Sequence, residues 1–463
     1  MTFAFIATEC ENYAIMLFSS LLKQRGHQVH LIFDPRLFDN DEIKQGCLGR
    51  MFDIRKHNIS TLKKIKPDII GFSTYTQDYQ WNLEFARMIK KEMDIPIIFG
   101  GVHCVLCPEE VIKEDCVDMV CASGGERTLL SLLQQTRKGI YTELDIEDLD
   151  TLPLPDRDLF YNLKPVFKRD YSISTSRGCP FSCTFCASEA LRRITDVPVR
   201  QRSVNHVMTE LSWAKERYNF RSVYFTDDVF TLNTEWLRKF ANWYKFEIGV
   251  PFYCTANPGT ITEKQIDLLK IAGCQMIGFG LQSVCEKTRV EILNRRGTNE
   301  RISSVVAYCR KLGISLSFDH IFNLPSESDI HSLRALEFYN NTRPDIINTF
   351  TMTYLPRIKL NSVLSEEERE RVDKGQVRTS MLQRGGNCFA SMFSILPLFP
   401  RKVIAWLVGS GLYKWVRLPY WARLVCKDIK RLMIRRGSDV WFPIRLLVVN
   451  IKDNITLKMG GIK

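Results

Sequence analysis

Residues 174–188 read STSRGCPFSCTFCAS, and no other stretch of this 463-residue chain narrows its fold and chemistry as much. Cys179, Cys183 and Cys186 fall in the spacing C-x3-C-x2-C. Three soft thiolates on one tight loop suit an iron–sulfur cluster or zinc. A cubic cluster held wholly by protein needs four thiolates. No fourth cysteine lies nearby, so three irons would be held and the fourth left open to an exchangeable ligand. Structural zinc would want a fourth Cys or His at regular spacing, which is absent. Spacing and ligand softness favour the cluster over zinc or over three unrelated core thiols.

On both sides of this loop the chain alternates short apolar runs with amphipathic stretches, the pattern of parallel sheets covered by helices. Strands are expected at 2–7, 28–33, 68–73, 95–99 and 117–121, with helices between them and a last helix opening at Gly124-Gly125-Glu126. Residues 1–140 therefore read as a doubly wound, Rossmann-like α/β domain whose ligands sit at the carboxyl ends of its strands. Residues 141–165, acidic and then carrying Pro153 and Pro155, read as a linker. Six strand–helix units fill 166–360, with strands at 171–175, 222–226, 252–256, 276–280, 315–322 and 346–353. Residues 361–463 form a basic helical tail.

The cysteine loop resembles the signature of the radical S-adenosylmethionine (SAM) enzymes. Arg177-Gly178-Cys179-Pro180 leads in, and aromatic Phe185 precedes the third cysteine. The resemblance implies a partial (β/α)6 barrel with its chemistry at the C-terminal ends of the strands, where the loop would lie. It implies a [4Fe-4S] cluster on Cys179, Cys183 and Cys186 whose open iron binds SAM, reductive cleavage of SAM to a 5′-deoxyadenosyl radical, and an electron donor such as flavodoxin or ferredoxin. It also places Phe185 at the cofactor, Asp227 and Asp228 near the amino group of SAM, and Gln282 and Ser283 at the ribose hydroxyls. A helix cap is the other reading at the strand ends. Asn257-Pro258 has the same two readings. Asn323-Leu324-Pro325-Ser326-Glu327 stands where relatives have G-L-P-G-E-T, and Tyr354-Leu355-Pro356-Arg357 where they have a Y-P-G-T-like segment. Loss of those glycines would crowd a close backbone approach. Arg357 reads as a contact to an anion or as a surface arginine. Asp319-His320 lies on the inner-strand register, with a hydrogen-bonded core histidine as the plainer reading.

The first half is similar to the cobalamin-binding domain found ahead of many radical SAM cores. Gly71-Phe72-Ser73-Thr74-Tyr75 and Gly100-Gly101-Val102-His103 carry the likeness. It implies that Ser73, Tyr75, Gly100 and Gly101 line the slot for the nucleotide tail of cobalamin. The D-x-H-x-x-G motif that supplies a histidine to cobalt is absent; the corresponding loop reads Glu9-Cys10-Glu11-Asn12-Tyr13. The combination resembles class B radical SAM methyltransferases and implies C-methylation of an unactivated carbon. Ring closure, rearrangement, carbon–carbon coupling, or a sensing module without catalysis are the alternatives.

Charge separates the tail from the body. Residues 388–463 carry fourteen Lys or Arg against three Asp, nearly the whole net charge of +12. A near-neutral body argues against nucleic acid as partner. Trp406, Trp415, Trp421 and Trp441 lie among these basic residues, which suits a membrane surface or a solvated cap on the barrel. A lipid-like substrate would fit the former. No uncharged run reaches the length of a spanning helix. Fifteen scattered cysteines and an N-terminus without a signal-like segment point to a reducing cytoplasmic setting, with the inner membrane face as a peripheral option.

Overall fold

A computed structural model describes residues 1–39, 46–133, 137–143, 145–374, 388–434 and 449–456. The apolar runs of the first half form β1 (Thr2–Thr8), β2 (Gln28–Asp34), β3 (Ile69–Ser73), β4 (Ile97–Gly100), β5 (Met119–Cys121) and β6 (Gly139–Tyr141). They pair in parallel in the order β2-β1-β3-β4-β5-β6. Alternate residues of β1 feed two separate cores. Ala4 and Ile6 pack with Phe72 and Phe85, whereas Phe3 and Phe5 pack with Met16 and Leu22. A sheet buried on both faces requires nearly continuous apolar strands, and this chain supplies them. β6 adds an edge strand to the five expected, three residues long and beside an acidic stretch that masks it.

The second sheet follows β7 (Asp170–Ile173). A two-stranded antiparallel ribbon, β8 (Ser176–Arg177) and β9 (Arg200–Gln201), brackets the cysteine loop and the helix after it. Then come β10 (Ser222–Phe225), β11 (Phe252–Ala256), β12 (Cys274–Gln282), β13 (Ser315–Phe322) and β14 (Ile346–Thr351). The parallel order is β14-β13-β12-β11-β10-β7, with β7 and β14 as edges, so the six-stranded barrel is partial. Ile277, Phe279 and Phe318 are buried under the helices, whereas Gly278, Gly280 and Asp319 are only half-buried. Tyr224, on the same inner face, is 47% exposed. The inner face thus lines a water-accessible lumen.

The linker is wedged between the two sheets. Arg157 is fully buried and stands 3.3 Å from Glu210 and 3.7 Å from Glu11. Arg202 reaches Glu210 at 2.7 Å, and the Tyr171 hydroxyl donates to Glu210 at 2.8 Å. The tail helices Cys388–Ile395, Arg401–Gly409 and Tyr420–Ile434 cover the β14 flank, with Phe393 stacked on Phe322 at 5.5 Å. One side of the tail thus caps the barrel flank. Trp441 lies outside the described residues. No helix among the described residues is long and apolar enough to cross a membrane.

Candidate active site

The cysteine loop begins just past the end of β7, and its first residues are tied down by the end of β10. Asp227 is buried, and its carboxylate accepts from the Thr175 backbone N–H at 3.1 Å, the Thr175 hydroxyl at 2.7 Å and the Ser176 hydroxyl. Burial raises its pKa while these donors pull it back. Asp228 instead is exposed, lines the interdomain cavity, and lies within electrostatic reach of Cys179 and Cys186. The acidic pair therefore divides its labour: Asp227 anchors the loop and Asp228 faces the site.

Cys183 is buried, and Cys179 and Cys186 are half-buried. The three sulfurs lie close enough to perturb one another, and burial, foremost, pushes Cys179 up to about 11. Among the described residues no three His, Cys, Asp or Glu converge on a single-ion site. Three thiols on one loop, each free to take a different iron, fit a cluster as donors; binding would displace their protons.

Arg295 escaped the sequence reading. Its guanidinium donates to the Cys183 sulfur at 3.5 Å. The segment that delivers it is stitched to the cysteine loop: Thr184 N–H donates to Leu293 O at 3.1 Å, the Thr184 hydroxyl to Ile292 O at 2.6 Å, and Asn294 Nδ2 to Ser182 O at 3.0 Å. A π-helical turn, Thr288–Ile292, precedes it, a geometry common at functional sites. A Cβ on Gly280 would come within 3.1 Å of the Arg295 guanidinium, so this glycine clears its path. The visible signal was the Asn294-Arg295-Arg296-Gly297 break in helical pattern after β12.

Gln282 ends β12 in the left-handed region (φ 67°), with its side chain folded over Gly280 on the lumen side. The Ser283 hydroxyl donates to Glu327 and accepts from Cys285 N–H at 2.9 Å, so it acts as a local cap. Asn257 likewise caps, accepting from Gly259 N–H at 3.0 Å. Phe185 joins two apolar clusters, one with Leu106 and Ile358, the other with Leu293 and Ile321. Asn323 (φ 61°), Ser326 (φ 67°) and Arg357 (φ 57°) all take the left-handed backbone that glycine favours. Arg357 meets Glu109 at 3.6 Å across the domains. His320 turns away from the lumen to Tyr339 (3.0 Å), and burial holds it neutral with a pKa of about 3. Asp319 is the lumen residue, accepting from Asn348 Nδ2 at 2.9 Å.

In the first domain a pocket of about 110 Å³ opens at the carboxyl ends of the strands, lined by Ser73, Gly100, Gly101 and Gly125 with apolar Phe5, Ile15 and Phe18. Gly101 has φ 99°, and a Cβ there would stand 2.7 Å from Thr74 N. Tyr75 does not line this pocket; it is half-exposed and lies toward Cys10 and Asp78. An apolar slot with glycine floors and a few hydroxyls fits a flat heterocyclic base such as a cobalamin tail carries. Beside it lies an interdomain cavity of about 330 Å³. Val105, Ser123, Gly124 and Asp145 line it from one domain, and Ser176, Arg177, Gly178, Thr226 and Asp228 from the other. Ser123 and Gly124 border both spaces. Arg177 crosses to buried Glu126 at 2.6 Å, joining the lead-in of the cysteine loop to the first domain.

Two family models match the chain: the B12 binding domain over residues 3–133 and the radical SAM superfamily over residues 173–339. The uncharacterized methyltransferase PH0819 of Pyrococcus horikoshii is 27% identical over 293 residues, 58% of this chain and 62% of that protein. The anaerobic magnesium-protoporphyrin IX monomethyl ester cyclase of Rubrivivax gelatinosus is 23% identical over 334 residues, 65% of this chain and 58% of that protein. The matches thus span about three fifths of these relatives' length. The structure of the cobalamin-dependent S-adenosylmethionine radical enzyme OxsB with aqua-cobalamin bound matches with a TM-score of 0.63 at 15% identity, covering 100% of this chain and 81% of that one. At that identity the match shows a shared fold. The two domains imply a [4Fe-4S] cluster, SAM and cobalamin, and the thiol loop and glycine-floored pocket fit them. The chain thus carries a domain of the radical SAM superfamily, with a B12-binding domain ahead of it.

Proposed function

We propose that this protein methylates an unactivated carbon of a small-molecule or lipid-like substrate. The observation that carries the reading is the interdomain cavity, walled on one side by the B12-binding domain and on the other by the cysteine loop and Asp228. When bound, the cluster supplies the electron, SAM the hydrogen-abstracting radical, and cobalamin the methyl group. The chain's own residues hold and orient. Cys179, Cys183 and Cys186 would hold the cluster, Asp228 would offer a carboxylate to a SAM ammonium, and Gln282 stands on the lumen side over Gly280. Ser73, Gly100 and Gly101 would seat the cobalamin tail. The electron comes from a low-potential donor of the flavodoxin or ferredoxin kind.

The cyclase relative favours a second reading, radical ring closure with the same cofactors. Anaerobic reconstitution with cobalamin, SAM and a chemical reductant, followed by incubation with cell extract, separates the two. Methyl transfer yields 5′-deoxyadenosine, S-adenosylhomocysteine and a product heavier by one methylene unit. 5′-Deoxyadenosine without S-adenosylhomocysteine would point to cyclisation, and protein that assembles its cluster but takes up no cobalamin would rule out methyl transfer.

A further inference from the structure

The tail covers the barrel with one side and leaves the other side unusual. Ile404, Leu407, Val408, Tyr413 and Val416 pack toward the main core. In the same elements Trp406 and Trp415 point outward, 61% and 83% exposed, next to exposed Val403 and Leu412. The following helix, Tyr420–Ile434, is inverted relative to an ordinary surface helix. Trp421, Val425, Ile429 and Met433, spaced four apart and so on one face, are all exposed, whereas Arg423 and Asp428 are buried. Lys427 points inward, reaching Asn348 of β14 at 3.5 Å. Leu412–Trp415 and Tyr420–Ile434 pack against Cys388–Ile395, and Arg401–Gly409 packs on Leu412–Trp415, so these elements form one lobe.

The charges of this lobe are one-sided. Between residues 388 and 434 the sole carboxylate is Asp428, which is buried and paired with Arg431 at 2.9 Å. Arg401, Lys402, Lys414 and Arg417 are exposed. The outer surface of the lobe therefore presents tryptophans, aliphatics and cations with no exposed acid. A second copy docked face to face would set cations against cations. A nucleic acid would use the tryptophans for stacking but leave Val403, Leu412, Val425, Ile429 and Met433 in water. The interface of an anionic bilayer takes up all three: aromatic rings at headgroup level, aliphatics below them, and cations against the surface potential.

We propose that the 401–434 lobe is a peripheral docking surface for anionic lipid bilayers. The surface acts independently of the reaction the barrel performs, and it would hold the enzyme where a lipid-soluble substrate is found.

Flotation of the full-length, reconstituted protein with vesicles of phosphatidylcholine alone, or mixed with phosphatidylglycerol, tests this. The mixed vesicles should carry the protein, less so at high salt, and tryptophan emission should shift to the blue. Trp406→Ser with Trp415→Ser should reduce the shift to the part that Trp421 contributes and cut binding at least tenfold. The milder pair Lys402→Glu and Lys414→Glu keeps the packing and should weaken binding by on the order of fivefold per charge removed. Folding is checked by circular dichroism and by the absorbance of the cluster. Equal partition onto both vesicle types, no partition at all, or variants that bind like the wild type would overturn the proposal. So would concentration-dependent self-association that the tryptophan variant abolishes, since the face would then belong to a second copy.

Discussion

Ser326 holds φ at 67°, a conformation that costs a side chain about 1 kcal/mol or more and a glycine nothing. Ser326→Gly should therefore raise stability by about 0.5 kcal/mol after the added freedom of the unfolded chain is counted. Urea unfolding measures the shift; a loss of stability would show that the serine is held there by a contact worth more than the strain. Asn323 should gain less from the same change, because asparagine tolerates the left-handed region. Arg295 is the other residue with a sharp expectation. A hydrogen bond to a cluster sulfur makes the cluster easier to reduce. Arg295→Met should shift the midpoint potential to more negative values while three-cysteine ligation and the cluster absorbance persist. An EPR-monitored redox titration reads this without turnover, and an unchanged potential would mean that Arg295 only shapes the lumen.

At the level of elements, the most informative piece is the linker. Glu210 sits between Arg157 and Arg202; burial drives its pKa up, yet the two guanidiniums hold it below the ordinary glutamate range. The folded value is thus lower than the unfolded one. Its stabilising contribution is present above the unfolded glutamate pKa and is lost as pH falls through the folded value. Glu210→Gln should lower the melting temperature at neutral pH and flatten its decline in acid, measured from pH 7 to pH 3. The strands and the cysteine loop were legible because their signals are local: apolar runs of five or six residues, and three thiols within eight positions. Arg157 was hidden because its partners are remote in sequence: Glu210 lies 53 residues downstream on a helix and Glu11 near the start of the chain. The split between Asp227 and Asp228 was hidden for the same reason, since the partners of Asp227 are in the loop it anchors. β6 is too short and too polar on its flanks to announce itself. His320 and Asp319 are neighbours in sequence, and only the register of β13 against β14 decides which one sees the lumen.

For the molecule as a whole, the two sheets present the carboxyl ends of their strands to a common space, and Ser123 and Gly124 border both the glycine-floored pocket and the interdomain cavity. Gly101→Ala tests that arrangement from a distance. The added methyl would press on Thr74 backbone at 2.7 Å and occupy a left-handed φ, destabilising the first domain by about 1–3 kcal/mol. Cobalamin retention on gel filtration should fall sharply while cluster assembly in the second domain continues. Simultaneous loss of both would mean that the domains fold as one unit.

The β8–β9 ribbon also bears on how such a protein matures. Ser176 pairs with Gln201 and Arg177 with Arg200, so the segment between them, which holds all three cysteines, is already a closed loop. The ribbon and the Asp227 anchor use no sulfur. Loop closure, the entropic penalty that otherwise accompanies gathering ligands from a flexible chain, is therefore met by the fold itself. The triple variant Cys179→Ala, Cys183→Ala, Cys186→Ala should match the wild-type apoprotein in circular dichroism and melting temperature. Assembly of iron and sulfide then becomes a late event in biogenesis, performed on a finished scaffold, and a cell short of iron would accumulate folded, dormant enzyme rather than debris for its proteases.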